Sequence, residues 1–179
     1  MQRLFPDPAP TTAADQLRGL DLVALAGKQR PYVITNFVLT LDGQATIAGR
    51  SGPIGSEADT AMLVALRTRV DAVMIGAGTM RAERYGRVIG DPAKRERREA
   101  EGLSPDPLMV VVSASLDLPW DAPLFAEDHG RILIATSSGA EPPPTETPVS
   151  LFRGAGELDL AALLAHLGEI EATRPREGG

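Results

Sequence analysis

Cysteine is absent from the 179-residue chain, histidine occurs only at His129 and His166, and aromatic residues make up 4%. Without cysteine there are no disulfides, no thiolate nucleophile and no cysteine-ligated zinc or iron–sulfur centre. Two isolated histidines do not build a metal cluster, so no metal site is expected. No run of about 18 apolar residues occurs to span a membrane. The opening MQRLFPDPAP lacks a charged segment followed by an apolar one, and a cytoplasmic protein is expected. A hydrophobic content of 43% is enough for one good core at this length.

The net charge of −6 argues against a general nucleic-acid binder, because phosphate affinity comes from concentrated Lys and Arg. Positive charge is nevertheless concentrated locally. Arg81, Arg84, Arg87, Lys94, Arg95, Arg97 and Arg98 face only Glu83, Asp91 and Glu96 within positions 81–98. That stretch either meets a small anionic ligand or is solvated, and DPAKRERREAE reads as a solvated loop or charged helix face.

Residues 1–30 form an Ala/Pro-rich extension whose DQLRGLDLVALAG holds a short helical pattern, and residues 31–179 form the main domain. YVITNFVLTLDG is rich in β-branched and aromatic residues and is closed by Asp42-Gly43, the signature of a strand buried on both faces. Asn36 interrupts one face; its amide is satisfied by backbone or faces a ligand. Ser56 opens a predicted helix to Arg69, with Asp59 at the third following position as in a capping box. VDAVMIG then reads as a second strand, making a βαβ unit. PLMVVVS, RILIAT and VSLFRG are further strand candidates, and LDLAALLAHLG is an amphipathic helix. His166 on that helix reads as a surface or capping residue, and Trp120 as a packing anchor.

Ligands of open α/β sheets gather beyond the carboxyl ends of the parallel strands. Two turns fall there, Leu41-Asp42-Gly43 and Gly76-Ala77-Gly78-Thr79. Glycines at such a turn let a ligand approach the backbone and tolerate positive φ. The dinucleotide fingerprint G-x-G-x-x-G fails at Arg81 and no P-loop is present. GAGT is therefore either a ligand loop or a tight packed turn. Asp42 is either a turn carboxylate bonded to nearby N–H groups or a crevice carboxylate of raised pKa that exchanges a proton.

In combination, TLDGQATIAGRSGPIG, the helix and VDAVMIGAGTMRAERYG resemble the reductase domain of riboflavin biosynthesis, the C-terminal part of the bacterial deaminase–reductase. The resemblance covers about residues 30–160, with SLDLPWDAPLF and DLAALLAHL in the expected order. It implies a three-layer α/β fold related to dihydrofolate reductase, with a mainly parallel mixed sheet flanked by helices. It further implies NADPH as hydride donor, a phosphorylated ribosylamino-pyrimidine as substrate, and a homodimer.

Carried over residue by residue, the resemblance assigns Gly76, Gly78 and Thr79 to the cofactor loop and Ser113 to the neighbourhood of the adenosine phosphate. Val38, Glu83 and Pro53 fall at further cofactor positions; many members have tryptophan where Pro53 stands. Asn36, Ser51 and Arg67 fall on the substrate side, with Arg67, and Arg84 or Arg87, as partners of its phosphate. Asp42 is the aspartate of the family's Leu-Asp-Gly motif and the implied catalytic residue. Glu177, Gly178 and Gly179 match a Glu-Gly-Gly motif whose glycines close over the pyrophosphate and whose glutamate meets substrate. On that alignment the sequence stops at the cofactor loop; the alternative is a polar tail that matches by chance. Ala114 stands where a basic residue is usual, which leaves NADPH against NADH open. Two other readings remain: reduction of a dihydrofolate-like or other pterin ring, and a non-catalytic remnant that binds nucleotide weakly or serves as an interaction module.

Overall fold

The structure, a computed structural model, describes residues 1–27, 30–38, 40–44, 47, 54–154 and 156–172. At the N-terminus, β1 (Gln2–Arg3) and β2 (Ala9–Pro10) make a small antiparallel ribbon. Two short helices follow, α1 (Ala13–Arg18) and α2 (Leu22–Leu25). The extension is not loose, because Ala13 and Leu17 are buried and Arg69 donates to the carbonyls of Leu17 and Leu20.

The next helix, α3 (Glu57–Arg67), starts where predicted: the Ser56 hydroxyl accepts from the Asp59 N–H at 3.2 Å. It leads to β3 (Ala72–Gly76), α4 (Ala77–Glu83), α5 (Pro92–Ala100) and β4 (Leu108–Val112). Then come α6 (Pro123–Ala126), β5 (Ile132–Thr136), β6 (Val149–Arg153) and α7 (Leu160–Ala172). β3 to β6 pair in chain order into a sheet that is wholly parallel among the described residues. The period of 2 splits the side chains between two cores. Val73, Ile75, Met109, Val111, Ile132 and Ile134 meet Met80 of α4 and Leu124 and Phe125 of α6 on one face. Leu108, Val110, Leu133 and Ala135 meet Leu163 and Leu167 of α7 on the other. β4 and β5 are buried on both faces, as their unbroken apolar runs require. Trp120 packs tilted on Phe125, ring centroids 4.8 Å apart, as a loop anchor. No helix of the described residues is long and apolar enough to cross a membrane.

One expected element is corrected. Residues 31–38 join no sheet, and Tyr32, Val33 and Phe37 are exposed. Asn36 is exposed as well and donates to the Asp59 carboxylate at 3.4 Å rather than to buried backbone. β propensity records how well a side chain fits a pleated, half-buried surface, and no strand among the described residues supplies that surface to 31–38. β3 in turn is an edge strand among the described residues, with Met74 exposed.

DPAKRERREAE forms the charged helix face that is one of its two expected readings, with one buried exception. It forms α5, capped by Asp91, whose carboxylate accepts from the Ala93 N–H, with Pro92 in the first turn. Arg98 within it is 1% exposed.

Candidate active site

β3 ends at Gly76, which is also the N-cap of α4, so Gly76-Ala77-Gly78-Thr79 is a strand-to-helix junction. Gly76 has φ −84°, and Gly78 lies inside the helix without positive φ. These glycines are therefore not needed for backbone conformation. What they provide is room, since a Cβ on either would meet no atom within 4 Å. Thr79 is exposed and Glu83 closes α4.

The parallel register sets Gly76 against Val112, which brings the next residue, Ser113, to the same rim. Ser113 is 2% exposed, and its N–H donates to the Ala135 carbonyl. Its hydroxyl is buried with no hydrogen-bond partner among the described residues. The orphaned Ser113 hydroxyl leaves an unused polar group close to the carboxyl ends of the strands, the region where ligands of open α/β sheets gather. Thr136 and Ser137 donate to the Ala114 carbonyl, and Arg153 donates to the Ser138 carbonyl, so the rim beyond Ser113 is tied down.

Asp42 sits in the Thr40–Gln44 turn, where Gly43 takes φ +76° and donates its N–H to the Thr40 carbonyl. Its carboxylate accepts from the Thr40 hydroxyl and from the Gln44 N–H. The Thr40 hydroxyl, with Gln44 second, holds its pKa below the ordinary carboxylate value. That direction is opposite to a crevice acid of raised pKa: Asp42 is exposed and ionised. Val38, four residues back, is half-buried.

Arg67 ends α3, toward the amino end of β3. Its guanidinium stacks over Tyr85 at 5.6 Å, and its buried Nε has no hydrogen-bond partner among the described residues. It lines a cleft of about 140 Å³ with Val64, Thr68, Val88, Ile89, Lys94 and the acidic Asp91. Asp59, which holds Asn36, lies eight residues earlier on α3, about 12 Å away at 1.5 Å per residue.

The other cations proposed for an anion are engaged elsewhere. Arg84 donates to Asp121 at 2.6 Å, and that contact lowers the Asp121 pKa. Arg87 donates through Nε and Nη2 to one oxygen of Asp106, at 2.9 and 2.6 Å, and the contact raises the Arg87 pKa. Arg81 reaches Asp117, and Arg97 reaches Glu101. The excess of positive charge counted along positions 81–98 is thus largely offset in space by acids from beyond it. Ser51, Pro53, Glu177, Gly178 and Gly179 lie outside the described residues. Sequence reasoning missed Tyr85 and named Lys94 only within the basic stretch, in the part read as solvated; an acidic cap at Asp91 with lysine one turn on was the available signal for the latter.

Several known proteins resemble the chain. It is 33% identical over 144 residues to the 2,5-diamino-6-ribosylamino-4(3H)-pyrimidinone 5′-phosphate reductase of Archaeoglobus fulgidus, covering 77% of this chain and 65% of that protein. It is 34% identical over 109 residues to riboflavin biosynthesis protein RibD of Synechocystis, covering 60% of this chain and 27% of that one. The chain thus spans under two thirds of the length of these relatives. Among solved structures, a pyrimidine reductase-like protein from Corynebacterium diphtheriae shares the fold at TM-score 0.65 and 21% identity, over 94% of this chain and 73% of that one. A deaminase/reductase from Thermotoga maritima does so at TM-score 0.60 and 19% identity, over 83% of this chain and 38% of that one. The RibD C-terminal domain profile matches residues 31–174, most of the sequence and all of the parallel sheet, and the chain belongs to that family.

Proposed function

We propose that the protein is an NADPH-dependent reductase of a phosphorylated ribosylamino-pyrimidine. The observation that carries the reading is the rim at the carboxyl ends of β3 and β4, where open Gly76 and Gly78 stand beside the unpartnered Ser113 hydroxyl. These residues, with Thr79, Val38 and Glu83, would hold the cofactor. NADPH, when bound, would supply a hydride to the C1′=N carbon of the ring-opened ribosylamino group, with a proton from solvent taken up at that nitrogen, giving ribitylamino.

The chain's own part is position and charge. The substrate lies along α3, ring toward Asn36 and Asp59, phosphate toward Arg67, whose guanidinium binds phosphate oxygens as a fork. Asp42, ionised in the free protein, accepts a hydrogen bond from the substrate and orients it. Arg84 and Arg87 remain in their ion pairs, so Arg67 carries the phosphate role in this reading. The family relatives support a pyrimidine phosphate as substrate. The position of β3 at the sheet edge among the described residues supports assembly as a homodimer, and a cytoplasmic site of action fits a nicotinamide-linked biosynthetic step.

Titration with NADPH and NADH, followed by nicotinamide fluorescence, is the first test, with saturable binding expected. Absence of saturation with both sinks the reading. Turnover of a ribosylaminopyrimidine phosphate against dihydrofolate then separates the pyrimidine from the pterin reaction.

A further inference from the structure

The cleft at Arg67 has a second wall made by α5, and that wall carries a cation of its own. Lys94 lines the same cleft from the first turn of α5. Its orientation is set by its neighbour one turn on. Residues four apart on a helix share a face, and Arg98 uses that face to donate to the carbonyls of Arg67 and Val70 at 3.1 and 3.0 Å, and to Ser104 at 2.7 Å. Arg98 therefore fastens α5 to the end of α3, and Lys94 is held on the Arg67 side. The turn leading into α5 is fixed as well, because Arg95 donates to the carbonyls of Ile89 and Gly90 at 2.8 and 3.0 Å. Val88 and Ile89 are buried and give the cleft an apolar floor.

In the free protein Lys94 faces Asp91 across 3.6 Å, too long for a hydrogen bond. Both side chains are more than two-fifths exposed, so this is a loose pair that water screens. Asp91 is divided between duties, one oxygen capping α5 at Ala93 and the other toward Lys94. Lys94 can turn from Asp91 to an anion in the cleft without leaving a buried charge behind.

Resting on the reading of Arg67 as the phosphate partner, we infer that Lys94 is a second phosphate-binding, specificity-determining residue, and that Asp91 is its counter-ion in the free protein. Arg67 supplies the planar fork and Lys94 the point charge, from opposite walls. The ligand class that fits is a sugar phosphomonoester, with the phosphate between the two cations. The same pair gives preference for a phosphorylated substrate over its dephosphorylated form, because two cations in a cleft interact weakly with a neutral sugar.

Ribose 5-phosphate and ribose are the probes, titrated by calorimetry into the full chain and into Lys94→Gln, Asp91→Asn and Arg67→Gln. Asparagine in place of Asp91 keeps a good helix cap while removing the charge. Expected are saturable binding of ribose 5-phosphate but not ribose, about tenfold weakening in Lys94→Gln, and roughly two- to fivefold tightening in Asp91→Asn. In turnover, Lys94→Gln raises KM for the phosphorylated substrate with kcat nearly unchanged, the sign of uniform binding lost. Lys94→Gln at wild-type affinity, with Arg67→Gln weakened, overturns the role of Lys94 and leaves that of Arg67 standing. No binding of ribose 5-phosphate, or wild-type affinity in both variants, overturns the two together. Circular dichroism of Lys94→Gln checks that a loss is not unfolding, and Lys94→Arg should retain most of the affinity.

Discussion

The guanidinium of Arg98 donates to the main-chain carbonyl of Arg67, 31 positions away in the chain, at 3.1 Å. It completes the open end of α3 from outside, a place where unpaired carbonyls and the helix dipole favour positive charge. The same side chain reaches Val70 and Ser104, so one buried cation joins α3, α5 and the segment leading to β4.

Replacing Arg98 with methionine keeps much of its volume and leaves those three carbonyls without this donor. A loss on the order of 3 kcal/mol is expected in urea unfolding. Arg98→Lys should recover only part of it, because one ammonium cannot reproduce the spread of a guanidinium. Wild-type stability in Arg98→Met would remove the staple from the account.

The pair Arg87–Asp106 predicts an asymmetry. Asp106 is 3% exposed at the side chain and Arg87 33%. Arg87→Met strands a buried carboxylate, whereas Asp106→Asn leaves an arginine that water can reach. The first should destabilise by about 3 kcal/mol and the second by clearly less. Neither should change ribose 5-phosphate affinity in the fraction that is folded. A large affinity loss in Arg87→Met at conditions where it is folded would return Arg87 to the phosphate site.

Gly78 offers a variant in which stability and binding part company. A Cβ there meets nothing within 4 Å, and the position is helical. Gly78→Ala should raise stability by up to about 1 kcal/mol. A bulkier Gly78→Val should fold and lose NADPH binding, read by fluorescence titration. Full affinity in Gly78→Val would mean that the cofactor does not approach this turn.

Asp42 predicts a pH response whose sign follows from its depressed pKa. A carboxylate with a folded pKa below its unfolded value of about 3.9 stabilises above that value and loses the contribution as pH falls through the folded pKa. Between about pH 5 and pH 8 it gives stability no slope. Thr40→Val removes the largest cause, so the Asp42 carboxyl should titrate at higher pH in carbon-detected NMR. An unchanged titration would detach Asp42 from Thr40. Asp42→Asn should leave NADPH affinity intact and reduce turnover.

What the amino-acid sequence settles without help is local. Ser56 caps α3 because its hydroxyl reaches an N–H three residues on. The apolar runs of β4 and β5 specify strands buried on both faces. Asp42-Gly43 makes its turn because glycine accepts the φ of +76°. The ordered motifs suffice to identify the family.

The rest came from long-range packing. Residues 31–38 carry strand composition yet join no sheet, since pairing requires a neighbour that composition does not supply. Arg84 and Arg87 look available in a basic stretch, but Asp121 and Asp106 arrive from 37 and 19 positions away. Arg98, written among residues that read as solvent-facing, is buried because the carbonyls ending α3 face it, and Lys94 follows it into the cleft. Caps and turns are settled within a few residues of the chain. Burial and ion pairing depend on what folding brings alongside.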